Sequence, residues 1–198
     1  MKSALLCGVG GQGTVLASRI IAQAAMDSGR QARTAETIGM AQRGGAVVSH
    51  VRIGETPEEA VTSPLIPDGQ ADVLIGFEPG EAARNLKALK PDGIVIVNRR
   101  AIVPVTASLG KSGYDGETVL KWLEANAAHC FVVDGDQAAQ ACGSEKVLNV
   151  VLTGALAATG AMGLSFEAIK EAMIRRVKPA FVEMNKKALA LGAEMVRR

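Results

Sequence analysis

The chain has 198 residues, 48% of them apolar and 21% charged, with a formal net charge of +2. That length suits one domain over 1–198 with a substantial core, and the composition excludes a disordered chain. Basic residues are dispersed apart from Arg99-Arg100, Arg175-Arg176 and Arg197-Arg198, and aromatics are 3%, so the electrostatic footprint of a nucleic-acid binder is missing.

Lys2 to Cys7 reads as a buried strand, too short and too apolar for alternation to decide its face. It breaks into Gly8-Val9-Gly10-Gly11-Gln12-Gly13, and the helix that follows carries Val15, Leu16, Ile20, Ile21 and Ala24 on a broad apolar face. Gly29 stands where a helix C-terminal glycine belongs. A strand that turns through glycines into a helix leaves backbone N–H groups free, and the helix dipole favours an anion there. Two readings stay open: the glycines admit a phosphate, or they only permit a tight strand–helix connection. The extra Gly11 and the polar Gln12 and Thr14 favour an open binding loop made of Gly10, Gly11, Gln12, Gly13 and Thr14.

Gln31 to Thr37 is a plausible second strand with little that is apolar in it. Glu36 lies about 20 residues beyond the glycines, roughly where the ribose partner of a dinucleotide would be. A second signature follows, Met40-Ala41-Gln42-Arg43-Gly44-Gly45, as a long polar turn where a plain dinucleotide site would have a helix. Arg43 can hold a carboxylate or phosphate through two parallel hydrogen bonds, and Gly44 would let backbone approach the same anion. The other reading of Arg43 is a salt bridge at a subunit interface.

Ala46 to Ile53 is a stronger strand with β-branched residues and partial alternation. His50 in that strand and His129 near a helix end lack a Cys, Asp or Ser arrangement beside them, and both read as structural. Thr56 to Asp68 is a proline-rich loop with room for one helical turn. Asp72 to Phe77 is a strand, Pro79-Gly80 opens a helix over Glu81 to Leu89, and Pro91-Asp92-Gly93 turns into the strand Ile94 to Val97. Asp115 N-caps a helix containing Leu120, Trp122 and Leu123, and Phe131 to Val133 is a short strand. Helices are expected near 148–162, 166–175 and 181–191.

Strands alternating with helices over the first two-thirds indicate a single Rossmann-like α/β domain with a mostly parallel sheet, covered by a helical C-terminal third. Val147 to Leu164 is the least polar stretch, but Asn149, Thr153, Thr159 and its glycines make it a buried helix, not a membrane span. Gly154, Ala158 and Ala161 would let a neighbouring helix come close.

Cys7, Cys130 and Cys142 are widely spaced and odd in number, which suits a reducing cytoplasm. The start Met1-Lys2-Ser3 has too short an apolar run behind it for a secretory signal, so the chain is expected in the cytoplasm. Iron–sulfur clusters normally need four thiolates, so this chain is expected to hold none by itself. There is no Gly-x-x-x-x-Gly-Lys-Ser/Thr loop, no His-Glu-x-x-His and no Gly-x-Ser-x-Gly. The nearest thing to a thiamine diphosphate motif is Asp134-Gly135-Asp136, which is inverted.

Taken in order, GVGGQGTVLASRIIAQAA, AETIGMAQRGGAVVSHVRIG, ADVLIGFEPGEAARNL, Gly93 to Asn98, Asn149 to Leu156 and Asn185 to Gly192 resemble the gamma-type subunits of the 2-oxoacid:ferredoxin oxidoreductases. The resemblance covers nearly the whole chain, and the format of a separate chain of this length is most similar to the beta subunits of the indolepyruvate-type members. It implies a thiamine diphosphate-dependent complex that decarboxylates a 2-oxoacid and passes electrons through iron–sulfur clusters to ferredoxin. The acyl group goes to coenzyme A. Thiamine diphosphate and [4Fe-4S] clusters are then expected on a larger alpha-type subunit, with no catalytic residue and no cofactor held by this chain alone. In such complexes the gamma-type domain lies beside the active site and is associated with coenzyme A access, so the glycine loop is expected to take a diphosphate-bearing ligand and Arg43 to stand at the active-site rim or the partner interface. A free-standing protein binding NAD or a flavin through Gly8 to Gly13 is the alternative.

Overall fold

The first apolar run forms strand β1, Lys2–Val9, buried from Ser3 to Gly8 because it has neighbours on both edges and cover on both faces. The computed structural model describes residues 1–39, 44–103 and 113–197. Helix α1, Thr14–Asp27, follows the glycine turn and buries Ala17, Ile20, Ile21 and Ala24. It ends as expected at Gly29, whose φ of 76° lets the Arg30 N–H return to the Ala25 carbonyl at 3.0 Å.

Strands β2, Ala32–Ile38, and β3, Ala46–Ile53, pair antiparallel, and β3 pairs antiparallel with β1 on its other edge. Strand β4, Ala71–Gly76, lies parallel to β1, followed outward by β5, Leu89–Asn98, and β6, His129–Val133, both parallel. The sheet order is β2-β3-β1-β4-β5-β6, so among the described strands β3 alone runs against the others. The mostly parallel α/β architecture expected from the sequence is present.

Helices α2, Pro79–Asn85, and α3, Gly116–Asn126, cover one face and pack on Leu5, Leu74, Val95 and Val97. The other face carries α1 with α4, Gly135–Cys142, α5, Leu148–Thr159, α6, Phe166–Arg176, and α7, Val182–Met195. Each Leu or Ile fully buried between these layers contributes about 1.5–3 kcal/mol. On the face where β3 has no helix, the loop 54–70 takes its place, burying Val61 and Ile66.

Several expectations need correction. Pro79 is the first residue of α2 itself, where a proline loses no hydrogen bond, and the helix tightens to a 3₁₀ turn over Leu86–Ala88 before β5 begins at Leu89. Pro91-Asp92-Gly93 lies inside β5: pairing with β4 jumps from Ala71↔Leu89 to Val73↔Ile94, so the turn is looped out of the ladder. The loop 56–68 forms a turn from Thr56 to Glu59 but no helix among the described residues. Helix α4 was not anticipated; Asp134 starts it by accepting the Gln137 N–H at 2.9 Å.

The apolar stretch after Val147 is α5, buried from Asn149 to Ala157. No helix among the described residues is long and apolar enough to cross a membrane. Gly154 does admit a neighbour: a Cβ there would fall on the Leu189 carbonyl of α7, and a Cβ at Gly192 would fall on the Val151 carbonyl of α5. The two helices therefore meet backbone to backbone. Helix α5 contacts the sheet, whereas α7 packs chiefly on α5, so the C-terminal third covers the sheet in two tiers.

Candidate functional site

The turn after β1 is closed by its own residues. Gln12 Oε1 accepts the Val9 N–H at 2.7 Å and Gln12 Nε2 donates to the Phe77 carbonyl at 2.9 Å, so this side chain ties the end of β1 to the end of β4. The Gly10 N–H donates to Gly45 O at 2.9 Å, joining the two glycine signatures directly. Gly11 and Gly13 have φ of 99° and 86°, a left-handed backbone that only glycine adopts readily. Thr14 is buried under the turn.

The first hydrogen bond of α1 runs from Ala17 N to Gly13 O, and no side chain caps the helix. The amides of Gly11, Gly13, Thr14, Val15 and Leu16 consequently have no acceptor among the described residues. The other described helices that follow parallel strands differ. Glu78 caps α2, Asp115 caps α3 and Asp134 caps α4, each with a carboxylate. Their positive ends are already answered; that of α1 is open.

The open end faces a cleft of about 520 Å³ lined by Gly11, Gly13, Asn98, Arg100, Lys146 and Asn149 among others. It lies outside the carboxyl ends of β1, β5 and β6, on the edge of a parallel sheet where α/β folds bind ligands. Asn98 forms one wall: its Nδ2 donates to Phe77 O at 3.3 Å and its Oδ1 accepts the Gly135 N–H at 3.1 Å. Arg100 pairs with Asp136 at 3.3 Å and Glu145 at 3.7 Å, all three exposed, so those pairs hold the guanidinium only weakly. Asn149 is 6% exposed at the start of α5, against Gly13.

A second buried polar group lies at the end of β4. The Glu78 carboxylate accepts from the Tyr114 hydroxyl, from Ile102 N at 3.3 Å and from Glu81 N at 2.9 Å. Burial, and then the Glu78 carboxylate, push the Tyr114 phenol up from its ordinary value. Burial also raises the Glu81 carboxyl, against the pull of Arg84. This network pins residues 102 and 114 to α2 and points its groups at one another, not at the cleft.

The structure thus brings Gly10 to Thr14 together with Gly44 and Gly45, because β3 pairs with β1 and returns the chain to the same edge. Gly44 is exposed at φ 74°. Arg43 lies outside the described residues. The Gln12 side chain is used at both ends by the fold, and the residue lines the cleft between Gly11 and Gly13. Asn98, Arg100 and Asn149 were not singled out as site residues, and Asn149 stood only as local polarity in an apolar run. Glu36 sits on β2, which β3 separates from β1, so it is one strand spacing, about 5 Å, outside the position beside β1 that a dinucleotide ribose needs. His50 is structural, accepting the Ile66 N–H at 3.2 Å. Cys7 is buried in β1, and burial raises its thiol.

Comparison with known proteins gives a consistent result. A family model described as pyruvate ferredoxin/flavodoxin oxidoreductase matches residues 3–195. The chain is 41% identical to the indolepyruvate oxidoreductase subunit IorB of Archaeoglobus fulgidus, over 95% of this chain and 92% of that one. It is 37% identical to the subunit of the same name from Thermococcus kodakarensis, over 98% and 95%. The crystal structure of a keto/oxoacid ferredoxin oxidoreductase gamma subunit from Geobacter sulfurreducens matches with a TM-score of 0.72 at 30% identity, covering 100% of this chain and 99% of that one.

Proposed function

We infer the function from one premise: the chain belongs to the pyruvate ferredoxin/flavodoxin oxidoreductase family. On that premise it is a subunit of a 2-oxoacid:ferredoxin oxidoreductase. We propose that its oxoacid is indolepyruvate, a reading supported by the names of its relatives. The complex would oxidatively decarboxylate that acid to an acyl-CoA, with thiamine diphosphate and [4Fe-4S] clusters on a larger subunit and ferredoxin as electron acceptor. Those cofactors supply the carbanion and one-electron chemistry. This chain's own contribution would be to bind and orient coenzyme A, and it would be inactive alone. Its three free thiols suit the cytoplasm.

The observation that carries this reading is the open N-terminus of α1. Five neighbouring amides without acceptors among the described residues, a helix dipole behind them and no acidic residue in the first turn fit a diphosphate oxyanion. A free-standing NAD protein is disfavoured because β3 displaces β2 and Glu36 from the ribose position.

The test is co-expression with the larger subunit, followed by indolepyruvate- and coenzyme A-dependent viologen reduction. Turnover should require both chains. Gly11→Val should raise the Michaelis constant for coenzyme A while the complex still assembles. An unchanged constant in the folded variant would place the coenzyme elsewhere.

A further inference from the structure

We propose that the Asn149 carboxamide is the side-chain member of the α1 anion site, donating from Nδ2 to a ligand phosphate held by the glycine turn. This rests on the reading that the cleft takes a diphosphate-bearing co-substrate, and it adds a residue to which no role has been given.

The orientation of the amide is set by its neighbours. Asn149 Oδ1 accepts the Val150 N–H at 3.0 Å, and turning the group over would set an NH₂ against an N–H. Nδ2 is therefore directed away from α5. Gly13 lies on that side: a Cβ on Gly13 would stand 2.9 Å from Asn149 Nδ2 and 3.1 Å from Asn149 Cγ. The side chain is thus packed against the backbone whose amides are free, and it lines the same cleft.

Asn149 Nδ2 donates to no group among the described residues, although the residue is 6% exposed. The Nδ2 atom itself opens on the cleft, since the fully buried side-chain polar atoms without a partner among the described residues are Ser49 Oγ and Arg52 Nε. A phosphate oxygen at the α1 N-terminus would satisfy it together with the Gly13 and Thr14 amides. Neither α1 nor α5 carries an acidic residue in its first turn. The carboxylates on the cleft walls, Asp136 and Glu145, are paired with Arg100, and Lys146 adds a cation at the rim.

Asn149→Asp is the informative variant. It keeps the volume and the acceptor for Val150 N, so α5 should start as before, but it replaces the donor by a negative charge. The full chain and the assembled complex would be titrated with inorganic pyrophosphate and with coenzyme A by calorimetry. Wild type should bind both, and Asn149→Asp should weaken both about tenfold or more at unchanged melting temperature. Asn149→Ala, with circular dichroism as the check on folding, should weaken them by a smaller factor. In the complex the coenzyme A KM should rise with kcat held, a split that a merely structural asparagine would not produce. Wild-type affinity in a folded Asn149→Asp overturns the inference and leaves the coenzyme A reading standing. If wild type itself binds neither probe, that reading fails and the inference fails with it.

Discussion

Gln12 and Asn98 converge on one acceptor, the Phe77 carbonyl, at 2.9 and 3.3 Å. Two side chains, one from the turn after β1 and one from the end of β5, thereby hold the ends of β1, β4 and β5 together beneath the cleft. The fold spends its polar side chains here on aiming backbone amides. Gln12→Ala would leave Val9 N without this acceptor and Phe77 O with Asn98 Nδ2 alone, and we expect a loss of about 1–3 kcal/mol in urea unfolding. Gln12→Glu should be as harmful, since it keeps the acceptor for Val9 but sets an oxygen against the Phe77 carbonyl. Wild-type stability for both would show that Asn98 alone sets the strand ends.

Gly11 and Gly13 share a left-handed backbone but differ in surroundings. A Cβ on Gly11 meets nothing within 4 Å, whereas one on Gly13 meets Asn149 at 2.9 Å. Gly11→Ala should therefore cost only backbone strain, about 1–2 kcal/mol. Gly13→Ala should cost more, by about 1 kcal/mol or above, through displacement of Asn149. Equal losses in parallel denaturant titrations would mean that Asn149 yields freely.

The α5–α7 contact has no side-chain layer to give way. Gly154→Ala and Gly192→Ala each put a methyl group into backbone of the facing helix. Each is expected to cost about 3 kcal/mol or to prevent folding. Soluble yield and the urea midpoint report the outcome, and a near-neutral Gly154→Ala would mean that the helices can separate.

His50 gives the stability a pH dependence of definite sign. Burial lowers its pKa below the ordinary 6.5, and its Nδ1 must be unprotonated to accept the Ile66 N–H. The unfolded chain then takes up the proton first. This contribution is complete above the unfolded value of about 6.5 and is lost as pH falls through the lower folded value. Melting temperature should drop between pH 7 and pH 5, and His50→Gln, which keeps an acceptor, should flatten that slope. An equal slope in His50→Gln would assign the acid sensitivity to carboxylates.

Much of this was legible in the sequence where local chemistry decides. The run Ala4 to Cys7 followed by glycines could only be a strand entering a turn, and Asp115 marked a helix start because its carboxylate has amides two and three residues on to accept. The position of β3 was not legible, since pairing with β1 instead of beside β2 alone is settled by tertiary contacts. Helix α4 escaped because its sequence, GDQAAQAC, buries only Gly135 and Ala138 and shows no broad apolar stripe. Asn149 escaped for the opposite reason. In a run so apolar, one polar side chain reads as relief from hydrophobicity, and only the contact with Gly13, more than a hundred residues earlier, gives it a direction.

The reversed strand β3 ties the ligand turn to the outer part of the sheet through main chain. A parallel return would have required a crossover of a dozen residues or more, opening on the far edge of the sheet. The antiparallel return needs only residues 39–45, and it brings Gly45 back to the ligand turn, where its carbonyl accepts the Gly10 N–H. The start of β3 and the ligand turn are therefore joined through main chain alone, so a displacement of β3 along its axis is carried to Gly10 whatever side chains the strand bears.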